Sequence, residues 1–211
     1  MIYKGLEMLE NEKVMLDLFV RATLECPDNE WLELLVTQGV FEDVPYASNQ
    51  LDVKEGLRLL QEWSREFSTT NKDIASDYFL LFEGPGRPLA PPWESVYLSE
   101  DALIFQAETL DVREWYKTFG VESIKLYMEP DDHIALELEF ISFLTGMAIQ
   151  AIESGDREKA DYYIEARTVF FTKHLLLWVF NWCSLVKENA KGLFYKGIAH
   201  LVEGTLHELS T

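Results

Sequence analysis

Five side chains that could do chemistry stand close together in this sequence: Glu129, Asp131, Asp132, His133 and, one helical turn further on, Glu137. Carboxylates beside an imidazole can ligate a metal or pass a proton, and each use needs different company. A metal site needs several converging ligands. His133 and Glu137, four residues apart, supply two, and no other His or Cys is placed by the sequence to complete them. General acid-base work by His133 needs a nucleophile or a substrate pocket, and the residues name neither. The plain structural alternative is helix initiation, because acids after Pro130 suit a helix N-terminus through capping and the dipole.

The helix that must position them has this acidic stretch at its head and is expected to run to about Ser154, before Gly155. On a wheel at about 100° per residue, Ile134, Leu136, Leu138, Phe140, Ile141, Phe143, Leu144 and Met147 fill most of the circumference, which predicts a central, buried helix. The remaining arc holds Asp132, Ala135, Glu139, Ser142, Gly146 and Gln150, so Asp132 and Glu139 are expected to face water or a ligand. His133 and Glu137 fall inside the apolar arc, where an ionised group must be paired or hydrogen-bonded. They are expected to form a buried pair that fixes the helix start and orients the neighbouring acids.

The other elements also read as helices. Apolar positions at helical spacing run from about residue 3 to 25, and Pro27 ends them. Asp28 is a candidate N-cap for a second helix that stops at Gly39, and Asp52 opens a third that runs through Phe67. A shorter helix is expected from about Asp73 to Phe82. Four of the chain's seven prolines then fall between Pro85 and Pro92, a density that predicts an irregular loop over 83–97. Beyond it come a helix near Leu110 to Phe119 with Gly120 as its stop, the Ile134 helix, a long helix capped by Asp156 and running through Trp182, and a last one from near Asn189. No alternating strand pattern, repeat or low-complexity segment appears. The fold expected is all-α, a single-domain multi-helix bundle over 1–211.

Composition narrows the function. A chain of 211 residues, 48% hydrophobic and 13% aromatic, can bury a full core. Its formal charge of -19, from 18 basic and 37 acidic side chains, argues against nucleic acid or an anionic membrane as the main partner; it would attract a basic one, and it also serves solubility alone. Cys26 and Cys183 match no metal spacing and imply no disulfide framework. The N-terminus shows no export signal, so a cytoplasmic location is expected. Val169 to Val186 is the stretch nearest membrane hydrophobicity, but Lys173, His174 and Asn181 interrupt it, and a buried core helix is expected there rather than an integral membrane segment. His174, His200 and His207 show no ligand-like grouping. The Gly84-Pro85-Gly86 turn lacks the spacing of a phosphate loop and follows a helix rather than a strand. Its other readings are a rigid connection pinned by Trp93 and Tyr97, or a recognition loop.

Taken together, Phe82-Glu83-Gly84-Pro85-Gly86, Ala90-Pro91-Pro92-Trp93-Glu94-Ser95-Val96-Tyr97, and Glu129-Pro130-Asp131-Asp132-His133-Ile134 with Glu137-Leu138-Glu139-Phe140 resemble the TorD/DmsD family of cytoplasmic chaperones. Phe171, His174, Leu175 and Trp178, then Phe194-Tyr195, are similar to it too. The resemblance runs from about Tyr78 to the end; earlier residues agree only in helical character. It implies an all-helical, non-enzymatic protein with no resident cofactor, although some members bind guanine nucleotide weakly. Members bind the twin-arginine leader (signal peptide) of a molybdenum-containing oxidoreductase and hold the enzyme back from export until its cofactor is inserted. They occur as monomers or domain-swapped dimers. The family's leader-recognition positions fall on Asp132, His133, Pro92 and Trp93, with Glu129, Asp131, Gly84 and Gly86 beside them as further candidates. Two adjacent guanidinium groups followed by an apolar segment call for carboxylates beside a hydrophobic groove, which suits these residue types. The alternatives are a nucleotide-binding hydrolase built on the Gly84 loop and a general helical adaptor.

Overall fold

The computed structural model describes residues 2–42, 44, 50–68, 72–99, 101, 103–123 and 129–210. Among them every regular element is helical, so the chain is an all-α bundle as expected. In order these are α1 (Ile2–Thr23), α2 (Asn29–Thr37), α3 (Leu51–Glu66), α4 (Lys72–Tyr78), α5 (Glu94–Leu98), α6 (Ala107–Thr118), α7 (Ile134–Ser154), α8 (Arg157–Lys173), α9 (Val179–Asn189) and α10 (Leu193–Leu209). A π-helical turn over Phe79–Glu83 follows α4, and a 3-10 turn over Leu175–Leu177 precedes α9. The chain forms two compact units, one from Met1–Val20 and Pro92–Val179, the other from Arg21–Pro91 and Phe180–Thr211.

Local signals set most of the ends. Asp28 accepts the backbone N–H of Trp31 at 2.8 Å and caps α2, and Asp156 does the same for α8 through Lys159 N at 3.1 Å. Gly155 closes α7 in the left-handed conformation, φ 80°, which a residue without a Cβ adopts at no steric cost.

Three boundaries differ from expectation. The proline stretch does not stay irregular to Tyr97, because α5 starts at Glu94, two residues after the last proline. The long helix after Asp156 breaks at His174, whose backbone leaves helical geometry at φ -117° and ψ -87°. The side chains that flank the 3-10 turn, His174 and Trp178, are both bonded to buried carboxylates of other helices. The last helix begins at Leu193 rather than near Asn189, with buried Asp77 accepting the N–H groups of Lys191 and Gly192 just before it.

In the second unit, α3 and α10 meet over glycines. A Cβ on Gly197 would come within 2.6 Å of Leu60 Cγ and 3.1 Å of Gly56 O, and one on Gly204 within 2.6 Å of Val53 Cγ2. The two backbones therefore approach more closely than side chains would allow. Beside this contact Trp63 and Phe194 pack with ring centroids 4.9 Å apart, and Phe82 stacks on Trp182 at 5.7 Å.

The first unit is built on α7 and α8. Phe140 meets Phe170 edge-on at 4.7 Å and Tyr116 at 4.8 Å. Among the described residues α7, rather than the Val169 to Val186 stretch, is the one unbroken helix long and apolar enough to cross a membrane, and 67% of its apolar window is buried within the fold. That is the signature of a core helix.

Candidate functional site

The loop end at Pro92–Trp93 and the start of α7 are joined by a single antiparallel bridge, Trp93 to His133. Ile134 N donates to Pro92 O at 2.8 Å and Glu94 N donates to Asp132 O at 3.0 Å. The two sequence segments singled out by their residue types are thus one physical joint. Above it the Trp93 indole N–H donates to Glu129 Oε1 at 2.7 Å, and the Trp93 and His133 rings meet edge-on with centroids 6.2 Å apart. Pro92 is buried, while Trp93 and Glu129 are half-buried and reach solvent. Gly84 and Gly86 belong to the other unit.

Asp132 does not lie on an open arc. It is fully buried, because α7 is covered at that point by the short α5 and by α6. Its Oδ2 accepts the N–H of Ser95 at 2.8 Å and its Oδ1 the hydroxyl of Thr109 at 2.8 Å. Ala135 and Ser142 on the same arc are buried as well, Ser142 bonding Asp17 of α1. Glu139 does face outward, as expected. Asp131 is buried with Arg113, which donates from Nε at 2.7 Å and Nη2 at 2.6 Å to Oδ2. The Tyr116 hydroxyl donates to the Asp131 carbonyl at 2.9 Å. Burial, then the charges of Glu137 and Asp131, push the Tyr116 phenol well above its usual range.

His133 is buried, as expected, and its job is local: Nδ1 accepts the N–H of Ala135 at 3.1 Å and caps α7. Its expected pairing with Glu137 is replaced by another arrangement. Glu137, with no exposure, takes the Trp178 indole N–H on Oε2 at 3.3 Å and faces Glu94 within hydrogen-bonding reach. Burial first, then the neighbouring charges of Glu94 and Asp132, hold the Glu137 carboxyl well above the usual carboxylate range. A carboxyl held there keeps its proton to higher pH than a free one, and while protonated it can donate to Glu94. Glu94 in turn lies 3.1 Å from His174 Nδ1. The interior of this unit therefore carries a polar line from Asp132 and Glu137 through Glu94 to His174.

Periodicity could not reveal these partners. Ser95, Thr109, Arg113, Glu94, His174 and Trp178 lie 18 to 80 residues from the groups they bond. The one available signal was Glu94 itself, an acid directly after Trp93 in a stretch otherwise rich in apolar residues. Among the described residues no three His, Cys, Asp or Glu side chains converge as metal ligands. Gly84, Leu89 and Ala90 spend their N–H groups on the carbonyls of Phe79, Leu80 and Leu81, and no helix of useful length begins at the turn.

The sequence model of the nitrate reductase delta subunit family matches residues 46–184. The chain is 28% identical to "Chaperone protein TorD" of Aliivibrio fischeri over 130 residues, 62% of this chain and 59% of that protein. It is 26% identical to "Probable Tat proofreading chaperone DmsD" of Haemophilus influenzae over 162 residues, 71% of this chain and 72% of the relative. A TorD chaperone of Vibrio cholerae is 31% identical over 107 residues, 51% of this chain and 47% of the relative. The chain thus spans about half to three-quarters of the length of these relatives. The match to the family covers most of the sequence and includes the Trp93–His133 joint, and the chain belongs to the nitrate reductase delta subunit family, the family of the TorD and DmsD chaperones.

Proposed function

We propose that this protein is a cytoplasmic chaperone that binds the twin-arginine leader of a molybdenum-containing oxidoreductase and holds that enzyme until its cofactor is inserted. The observation that carries the reading is the joint itself. A half-exposed indole and a carboxylate, Trp93 and Glu129, are hydrogen-bonded to each other over a backbone bridge that fixes them to the start of α7. Pre-ordering of this kind lowers the entropic cost of capturing a flexible peptide. Trp93 offers the apolar contact, while the acids around it and the net charge of -19 favour a basic leader. The names of the relatives, chaperone and Tat proofreading chaperone, support the same role. Asp131, Asp132 and His133 act in this reading by holding the joint in shape, and Pro92 by stiffening it.

The test is calorimetric titration of a synthetic peptide that carries two adjacent arginines followed by an apolar segment. Replacing both arginines by lysine should weaken binding about tenfold or more, since lysine cannot reproduce the bidentate fork. Trp93→Ala should weaken it further. Equal affinity for the arginine and lysine peptides would remove the leader reading.

A further inference from the structure

The acids of the Glu129–Glu137 stretch already have donors within the protein. Asp131 holds Arg113, Asp132 holds Ser95 and Thr109, Glu137 holds Trp178, and Glu129 accepts from Trp93. A guanidinium arriving from outside cannot reach buried Asp131, Asp132 or Glu137, and at Glu129 it would share the carboxylate with Trp93. Glu122 and Glu139 differ: both are exposed, and neither has a hydrogen-bond or ion-pair partner among the described residues. They border one pocket of about 230 Å³ whose walls include Tyr116, Leu136, Phe140 and Phe143. Lys13, which touches α7 at Gly146, is turned to Asp17 and Ser142 instead.

An apolar pocket with unpaired carboxylates at its rim suits one kind of side chain. The aliphatic stem of arginine packs on apolar walls while its planar head reaches the acids, and the head also stacks on aromatic faces. We propose that this pocket receives an arginine of the leader, with Glu139 as the principal carboxylate and Glu122 as the second; the proposal rests on the leader-binding reading and names the acids that take the guanidinium. Partial burial and the charge of Asp17 raise the Glu139 carboxyl above its ordinary value, which is the condition of a carboxylate lacking a counter-charge. Glu139 sits outward on a rigid helix, so a partner reaches it without opening the core.

The experiment compares Glu139→Gln and Glu122→Gln with the wild-type protein, using the twin-arginine peptide and a second peptide in which both arginines are glutamine. Glu139→Gln should weaken the arginine peptide about fivefold to tenfold, the scale of a part-exposed charge-assisted bond, and leave the glutamine peptide unchanged. Glu122→Gln should give a smaller loss of the same selectivity. Unchanged affinity of both variants for an arginine peptide that the wild-type protein still prefers over its lysine version would overturn the pocket assignment and leave the leader reading standing. A wild-type protein indifferent to the arginines would overturn both. A change of sedimentation mass in Glu139→Gln without a change in peptide affinity would assign the pocket to a second copy of the chain, again overturning the proposal.

Discussion

Replacing Glu137 by glutamine isolates the energetic consequence of burying an acid among acids. Glutamine has the shape of the protonated carboxyl: its oxygen can accept from Trp178, and its amide can donate to Glu94. In the wild-type protein burial and the charges of Glu94 and Asp132 raise the folded carboxyl well above the 4.5 of the free group. The folded state therefore binds this proton more tightly than the unfolded state does. The stability that Glu137 contributes is complete below about pH 4.5 and declines as pH rises above it. Each pH unit over which the folded carboxyl keeps its proton while the unfolded one has lost it costs about 1.4 kcal/mol. Glu137→Gln has no proton to lose, so the difference in unfolding free energy, variant minus wild type, should rise with pH with a slope of up to about 1.4 kcal/mol per unit. Urea titrations at stepped pH, followed by tryptophan fluorescence, measure that difference, in which the titrating groups that do not interact with Glu137 cancel. Carbon-13 carboxyl spectra should show one titration above the normal range that disappears in the variant. A difference that stays flat, or falls, as pH rises from about 4.5 to neutrality would refute the reasoning.

Three further substitutions probe the same framework. Asp132→Asn keeps one acceptor for the two donors of Ser95 and Thr109 and should cost about 1–3 kcal/mol by thermal or chemical denaturation. Arg113→Ala leaves the Asp131 carboxylate buried and unpaired, with an expected loss of about 3–5 kcal/mol, so its melting temperature should fall well below that of an alanine substitution at exposed Lys117. Gly197→Ala drives a methyl group into Leu60 across the α3–α10 contact and should destabilise by about 1–3 kcal/mol, whereas alanine at open Gly5 should not.

The parts of this fold that could be read from the sequence are those set by neighbours in the chain. α7 ends where Gly155 said it would, and Asp28 and Asp156 cap as expected, because capping is decided within three or four residues. The burial of His133 and the outward direction of Glu139 also followed from the wheel. What the wheel could not show is what covers the opposite arc. Asp132 is enclosed by Ser95 and Thr109, and Ser142 by Asp17, from segments 23 to 125 residues away. The same holds for Glu137, whose partner is Trp178 rather than the histidine one turn back. A helical-spacing argument finds pairs along one helix, and a buried acid recruits whichever donor the tertiary packing brings. The break at His174 is hidden from the sequence for the same reason, since no proline or glycine marks it.

The crossing of α3 and α10 sets the order in which the chain can mature. Leu51–Glu66 leaves the ribosome well over a hundred residues before Leu193–Leu209, the helix whose glycines it fits. Until α10 is made, the face of α3 around Val53, Gly56 and Leu60 has no permanent cover. A contact this distant in sequence makes closure slow relative to the helices that form on either side. Folding of the second unit therefore waits for α10, and the nascent chain must keep an apolar helix face out of trouble until that helix is made.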